Sequence, residues 1–259
     1  MTLMILSLIH RNTNTTVPAF RRAPLMISLL LLLALSCICG AWAIRNSSEK
    51  TGDQIHPSDL IGFEPVKTDN HYTITFGSYR QGEHGEIQPI EWRVLAVKGG
   101  RALVISEKLL CYAPYNESLA AVTWESCSLR RWLNDTFYKT AFSSGEQQKI
   151  ASVTLSNPGN SDNGIDGGAE TADKLFVLSL DEAVKYFPSN RDRMAYITPF
   201  AHKIHLHRYG LPLSHWWLRS PGWDNFSASY MRNTLIDRNG EKVHSTDIAV
   251  RPALWLILN

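Results

Sequence analysis

Charge is scarce in this chain and unevenly placed. Only 19% of its 259 residues are Asp, Glu, Lys or Arg, and before Ile44 the only formally charged ones are Arg11, Arg21 and Arg22. Leaving those three aside, 23 basic residues face 24 acidic ones, so the formal +2 of the whole chain becomes −1 for the remainder. No basic stripe remains, which excludes nucleic acid as a partner. Cysteine is sparse too. Cys37 and Cys39 lie in an early apolar run, and only Cys111 and Cys127 follow it. At most one bridge can form beyond that run, and two separate buried thiols are the other reading. Internal repeats and a second core are absent, which argues for one domain. A nucleophile-elbow pattern is absent as well, so a Ser220, His215 and Asp224 system has nothing to activate it.

What is present begins with location. Leu25 to Ile44 is an uncharged, Leu-dominated run of about the length that crosses a bilayer. Arg21 and Arg22 stand just before it, which holds residues 1–24 in the cytoplasm and sends the remainder outward. Ala41-Trp42-Ala43 has the form of a signal-peptidase site, so residues 25–44 are either the core of a signal peptide or a transmembrane anchor. Leu35 and Ser36 before Cys37 make only a partial lipobox, and lipidation is not expected. The expected place is the cell envelope, outside the cytoplasmic membrane, anchored or secreted.

Residues 45–71 are polar and aperiodic and read as a spacer. From Tyr72 the pattern changes to a single exported domain, residues 72–259. Thr73 to Tyr79 alternates like a half-buried strand. Ile90 to Val97 and Ala102 to Ser106 flank Gly99-Gly100, which predicts a β-hairpin because glycine reaches the positive φ angles of tight turns. Leu129 to Phe142 places Leu129, Trp132, Leu133, Phe137 and Ala141 near one helical face. Ser143 with Glu146, and Ser179 with Glu182, are capping boxes that start two more helices. Asn157 to Asp173 reads as a loop, Lys174 to Ser179 as a strand, and Arg191 to His215 shows no clear period. Trp216 to Pro221, Ser227 to Met231, Thr234 to Asp237 and Ala249 to Leu256 are further strand candidates. The class is α+β, a mainly antiparallel sheet with two to three peripheral helices.

Four runs carry a resemblance: TWESCSLRRWLNDTFYKTAF from Thr123, GGAETADKLFVLSLDEAVKYF from Gly167, WWLRSPG from Trp216 and VRPALWL from Val250. Together they look like a bacterial family of exported domains of unknown function. The resemblance implies a C-type-lectin-like fold, distantly similar to sulfatase-modifying-factor (formylglycine-generating) domains, with the WWLRSP and VRPALWL strands in the central sheet. The enzymes of that group oxidise a substrate cysteine with a cysteine pair near their C-terminal core. Here no cysteine follows Cys127, so that activity is not expected.

The candidate ligand residues are Trp217, Arg219, Trp223 and Arg251. Guanidinium forks bind carboxylates or phosphates, and indoles stack on sugar faces. The competing reading is a structural ion pair among buried aromatics. Asp162, Asp166 and Asp173, in a loop rich in Asn and Gly, suggest calcium, although the spacing lacks the terminal bidentate Glu of an EF-hand. The plainer reading has Asp173 pairing with Arg219 or Arg251. His202, His205 and His207, with His215 nearby, would gather imidazoles only if the segment were extended. The expected role is non-catalytic binding of a glycan or an envelope protein. An enzyme with a pocket near Trp217 and Arg219, or a structural envelope component, are the alternatives.

Overall fold

The computed structural model describes residues 48–209 and 214–258. Its first strands are Lys50–Thr51 (β1), Val66–Lys67 (β2), Tyr72–Arg80 (β3), Ile87–Lys98 (β4), Arg101–Ser106 (β5) and Cys111–Tyr112 (β6). Next come Ile150–Ala151 (β7), Val153–Leu155 (β8), Thr171–Asp173 (β9) and Leu175–Phe176 (β10). The last are His215–Pro221 (β11), Ser227–Arg232 (β12), Leu235–Lys242 (β13), Ala249–Val250 (β14) and Ala253–Ile257 (β15). One helix, α1, runs through Ser128–Trp132, Leu133–Phe137 and Tyr138–Ala141, its middle turn wound as a π-helix. Ser144–Lys149 (α2), Leu180–Tyr186 (α3), Asn190–Arg193 (α4) and Pro199–Tyr209 (α5) complete the α-helices of the described residues, and Gly52–Gln54 and Pro57–Asp59 are short 3-10 helices. The protein is α+β, with mostly antiparallel sheets and few helices.

Eight strands form the first sheet, in the order β10-β15-β5-β4-β3-β2, with β1 on β4 and β7 on β15. The second sheet runs β13-β12-β11-β14-β6, antiparallel except where β11 and β14 pair in parallel at Trp216 and Ala249. The predicted hairpin is β4–β5: Lys98 faces Arg101, and Gly99 and Gly100 both take positive φ, 57° and 71°, as a two-residue turn of matching twist requires. In β3 the register slips between Thr75 and Ser78. Gly77 sits in that slip at φ 68°, and a Cβ there would meet the Phe142 ring at 2.6 Å. Its N–H donates to Glu146 Oε1 at 2.9 Å, so the capping-box carboxylate that starts α2 also fixes the bulge.

Between the sheets and helices lie Trp92, Trp124, Trp216, Trp217, Phe137, Phe176 and Phe187, all buried. Each of the four indoles donates to a partner: Phe76 O at 2.6 Å, Asp173 Oδ2 at 2.9 Å, Arg193 O at 3.4 Å and Ala113 O at 2.8 Å, respectively. That satisfies the polar handle that a buried tryptophan brings with it.

Several expectations change. Residues 48–71 are not a spacer: β1 and β2 extend the first sheet, and Ile55 and Leu60 are buried. Lys185 and Tyr186 clamp the carboxylate of Glu49. Two scattered apolar residues carry no period, so only the sheet edge reveals them. Val177 and Leu178 are buried, but only Leu175 and Phe176 of their run pair in a sheet. The loop from Asn157 ends early, because Thr171–Asp173 pairs with β8. The aperiodic stretch from Arg191 contains most of α4 and all of α5. The run Ala249 to Leu256 is two strands in two sheets, with Arg251 and Pro252 as the crossing. WWLRSP and the ALWL part of VRPALWL therefore lie in different sheets. Cys111 and Cys127 are free thiols, not a bridge. The signal or anchor of residues 25–44 lies outside the described residues, among which no helix is long and apolar enough to cross a membrane.

Candidate functional site

The residues first nominated as a ligand site are not gathered in one place. Trp217, Arg219 and Arg251 are at most 3% exposed, whereas Trp223, on the turn after β11, is 64% exposed. Arg219 forks onto the carboxylate of Glu182, donates to Val177 O at 3.1 Å and to Ser156 O at 3.2 Å, and stacks over Phe176. Arg251 lies between the Phe187 and Trp216 rings, 5.1 Å from each centroid, and donates from Nε to Ser106 O at 2.9 Å. Burial lowers its pKa to about 9, and the nearby Arg93 charge adds to that. These arginines are buried and tie neighbouring chain segments together.

The three acidic residues are also dispersed. Asp173 is buried and accepts from Arg130 Nε at 2.6 Å, Trp124 Nε1 at 2.9 Å and Thr171 Oγ1 at 2.7 Å. Its partner is thus Arg130 rather than Arg219 or Arg251. Asp162 faces Arg238 at 3.6 Å, and Asp166 accepts from Gly168 N at 3.1 Å. Asn160 holds the loop in place of an ion, its amide donating to the carbonyls of Pro221, Gly222 and Arg238. Among the described residues no group of three or more His, Cys, Asp or Glu is placed to hold a metal. The segment bearing His202, His205 and His207 is helical, which removes the extended face-sharing that a site there assumed.

Concavity is found elsewhere. A cleft of about 390 Å³ opens where the end of β3, the strand β6, the outer face of α1 and the start of α5 meet. Its walls are aromatic: Tyr79, Tyr112, Trp132, Phe137 and Phe200, with Ile87 and Ile204 beside them. Tyr79 and Trp132 both pack on Phe137, with centroids 4.9 and 5.2 Å apart. Ser78, Thr136, Thr140 and Thr246 supply hydroxyls to the lining. Among the described residues Arg80 is its one cation and no carboxylate lines it. Burial pushes Tyr79, Cys111 and Tyr112 each up to about 12, with Cys111 adding to the shift at Tyr79 and Asp247 to that at Tyr112. None of these groups exchanges a proton near neutral pH, and Cys111 is not a thiolate there. Sequence reasoning missed the cleft. Trp132 and Phe137 read as the buried stripe of a helix, and nothing local distinguishes a wall from a core.

A second, polar hollow of about 610 Å³ contains His71, Arg93, Glu107 and Asp192. Arg93 grips Glu107 through Nε at 2.9 Å and Nη2 at 2.7 Å, while His71 Nε2 stands 3.4 Å away. Burial alone would raise the Glu107 pKa, but the His71 and Arg93 bonds outweigh it and hold the carboxyl well below its usual range. A depressed carboxyl stabilises the fold above the unfolded-state pKa and loses that contribution as pH falls. Glu107→Gln is expected to cost roughly 2 kcal/mol at pH 7, discounted for partial exposure. The gap to the parent protein should close by about 1.4 kcal/mol per pH unit below the ordinary carboxyl pKa. Urea denaturation at pH 7, 4 and 3 measures it; a gap independent of pH would refute the assignment.

Comparison with known proteins adds one finding. A profile described as "Domain of unknown function (DUF6273)" matches residues 99–258. No curated protein and no solved structure matches the chain.

Proposed function

The chain belongs to the DUF6273 family, whose function is unknown, and from that premise we propose that it is a non-catalytic module that binds a glycan in the aromatic cleft. The carrying observation is the cleft itself: stacked aromatic walls with hydroxyls among them, and titratable groups displaced from neutrality. Aromatic faces present broad, rigid apolar area to the C–H face of a sugar ring, and the hydroxyls pair with its oxygens. Catalysis by proton transfer would need a group poised near the working pH, and the lining offers none. The volume suits a small ligand better than a flat protein surface. We place the module in the cell envelope, outward of a signal peptide or anchor at residues 25–44. The finer kinship we propose, C-type-lectin-like and distantly similar to sulfatase-modifying-factor domains, rests on the four runs quoted above.

Trp132 is the residue on which to test the reading, because it is half-buried at the cleft wall. Trp132→Ala is expected to weaken the binding of saccharides found by thermal-shift screening at least about tenfold, in line with the loss of one aromatic anchor. Calorimetric titration compares the variant with the parent. Unchanged affinity, or no saccharide that shifts the melting temperature, would remove the cleft as the site.

A further inference from the structure

We propose that the saccharide taken by this cleft is anionic, and that Arg80 reads its carboxylate or sulfate. This rests on the glycan reading above and narrows it. Arg80 ends β3 and lines the cleft, where its guanidinium lies 5.4 Å over the Phe200 ring. Among the described residues Arg80 forms no ion pair and its side chain donates no hydrogen bond. Other arginines are committed: Arg93 to Glu107, Arg130 to Asp173, Arg219 to Glu182, and Arg251 to the Ser106 carbonyl.

Arg80 is exposed, but its aliphatic stem has neighbours on two sides. Gly85, at φ 89°, brings the turn after β3 so close that a Cβ there would lie 3.2 Å from Arg80 Cδ and 3.1 Å from the Phe200 ring. The aliphatic stem is thus pinned between the turn and an aromatic face, which lowers the entropy lost when a ligand engages the fork. The carboxylate of Glu86 on that turn accepts from His84 N at 3.1 Å and does not line the cleft. Because the lining holds no carboxylate and its tyrosines and thiol are neutral at pH 7, an incoming anion meets no like charge within the cleft. A planar fork donates two parallel N–H groups to a carboxylate or sulfate while the sugar ring stacks on the aromatic wall.

The experiment uses the full-length chain and three probes differing at one carbon: glucose, glucuronate and glucose 6-sulfate. Ligand-observed NMR titration into the millimolar range gives the affinities, for the parent, Arg80→Gln, Arg80→Lys and Trp132→Ala. The expected result is that glucuronate, glucose 6-sulfate or both bind about tenfold tighter than glucose, the increment of a charge-assisted hydrogen bond. Which of the two binds tighter identifies the anion. Arg80→Gln should abolish that advantage, bringing both anions to the affinity that the same variant shows for glucose; Arg80→Lys should keep part of it; Trp132→Ala should weaken all three. Equal binding of all probes, indifferent to Arg80→Gln but lost in Trp132→Ala, would overturn the anion assignment and leave the glycan reading standing. A preference for the anions that survives Arg80→Gln would overturn the role of Arg80. Failure of every probe to bind would overturn both readings.

Discussion

Glu182→Ala is expected to destabilise the protein by about 3–5 kcal/mol, the cost of leaving a buried charge without its counter-ion. Arg219 is 3% exposed and cannot turn to water, whereas the Glu182 side chain is 26% exposed. Removing the acid therefore strands the arginine, and removing the arginine leaves an acid that water can reach. The same carboxylate accepts from Ser179 N at 2.9 Å, so the variant also loses one half of the capping box that starts α3. Arg219→Met should cost clearly less than Glu182→Ala, since a buried pair replaced in part by apolar volume recovers packing. Guanidinium denaturation of both variants decides the point, and equal losses would mean that the pair is not asymmetric in the way its burial implies. Melting temperature should fall by roughly 10 °C for Glu182→Ala in a domain of this size.

Trp217→Ala is the second large effect, about 3–5 kcal/mol, because truncation leaves a cavity that a close-packed core fills only in part. The indole is fully buried against Tyr115 and Tyr230 and donates to Ala113 O at 2.8 Å, so the variant also orphans a carbonyl. Trp223→Ala, at an exposed turn, should change stability by no more than about 0.5 kcal/mol. Denaturation midpoints of the two variants, measured side by side, test this. A Trp217→Ala protein as stable as its parent would contradict the core placement.

Those two tryptophans illustrate what the sequence conveyed. Trp217 and Trp223 are six residues apart and were nominated together, yet one is core and the other surface, because burial is decided by the partners of β11 and not by the run itself. What was legible was local. The Gly99-Gly100 hairpin, the apolar stripe of α1 and both capping boxes each state their geometry within a few residues, and each formed as expected. Illegible features depend on distant neighbours. The cleft draws on six separated stretches, around residues 78–80, 87, 110–114, 132–140, 200–204 and 246, and none of them signals concavity alone. The oxygen-rich loop suggested an ion because composition does not reveal that Arg238 faces Asp162 and Arg130 donates to Asp173. Segment 48–71 suggested a tether because two buried residues in a polar stretch have no period to show.

The strand Ala253–Ile257 sits inside the eight-stranded sheet, with Leu254 facing Val104 on one side and Leu175 on the other. Partners so far apart in sequence can meet only after all the residues between them have been synthesised, and closing such long loops is slow. Until then β5 presents an open edge on which a second chain can add. A ribosome that stalls before Ala253 would release a chain with that edge bare, a ready substrate for chaperones and proteases. For a protein exported as proposed, the same delay is useful. The sheet cannot close while Ala253–Ile257 is unmade, so a chain that is exported would have a longer interval in which to cross before its core forms.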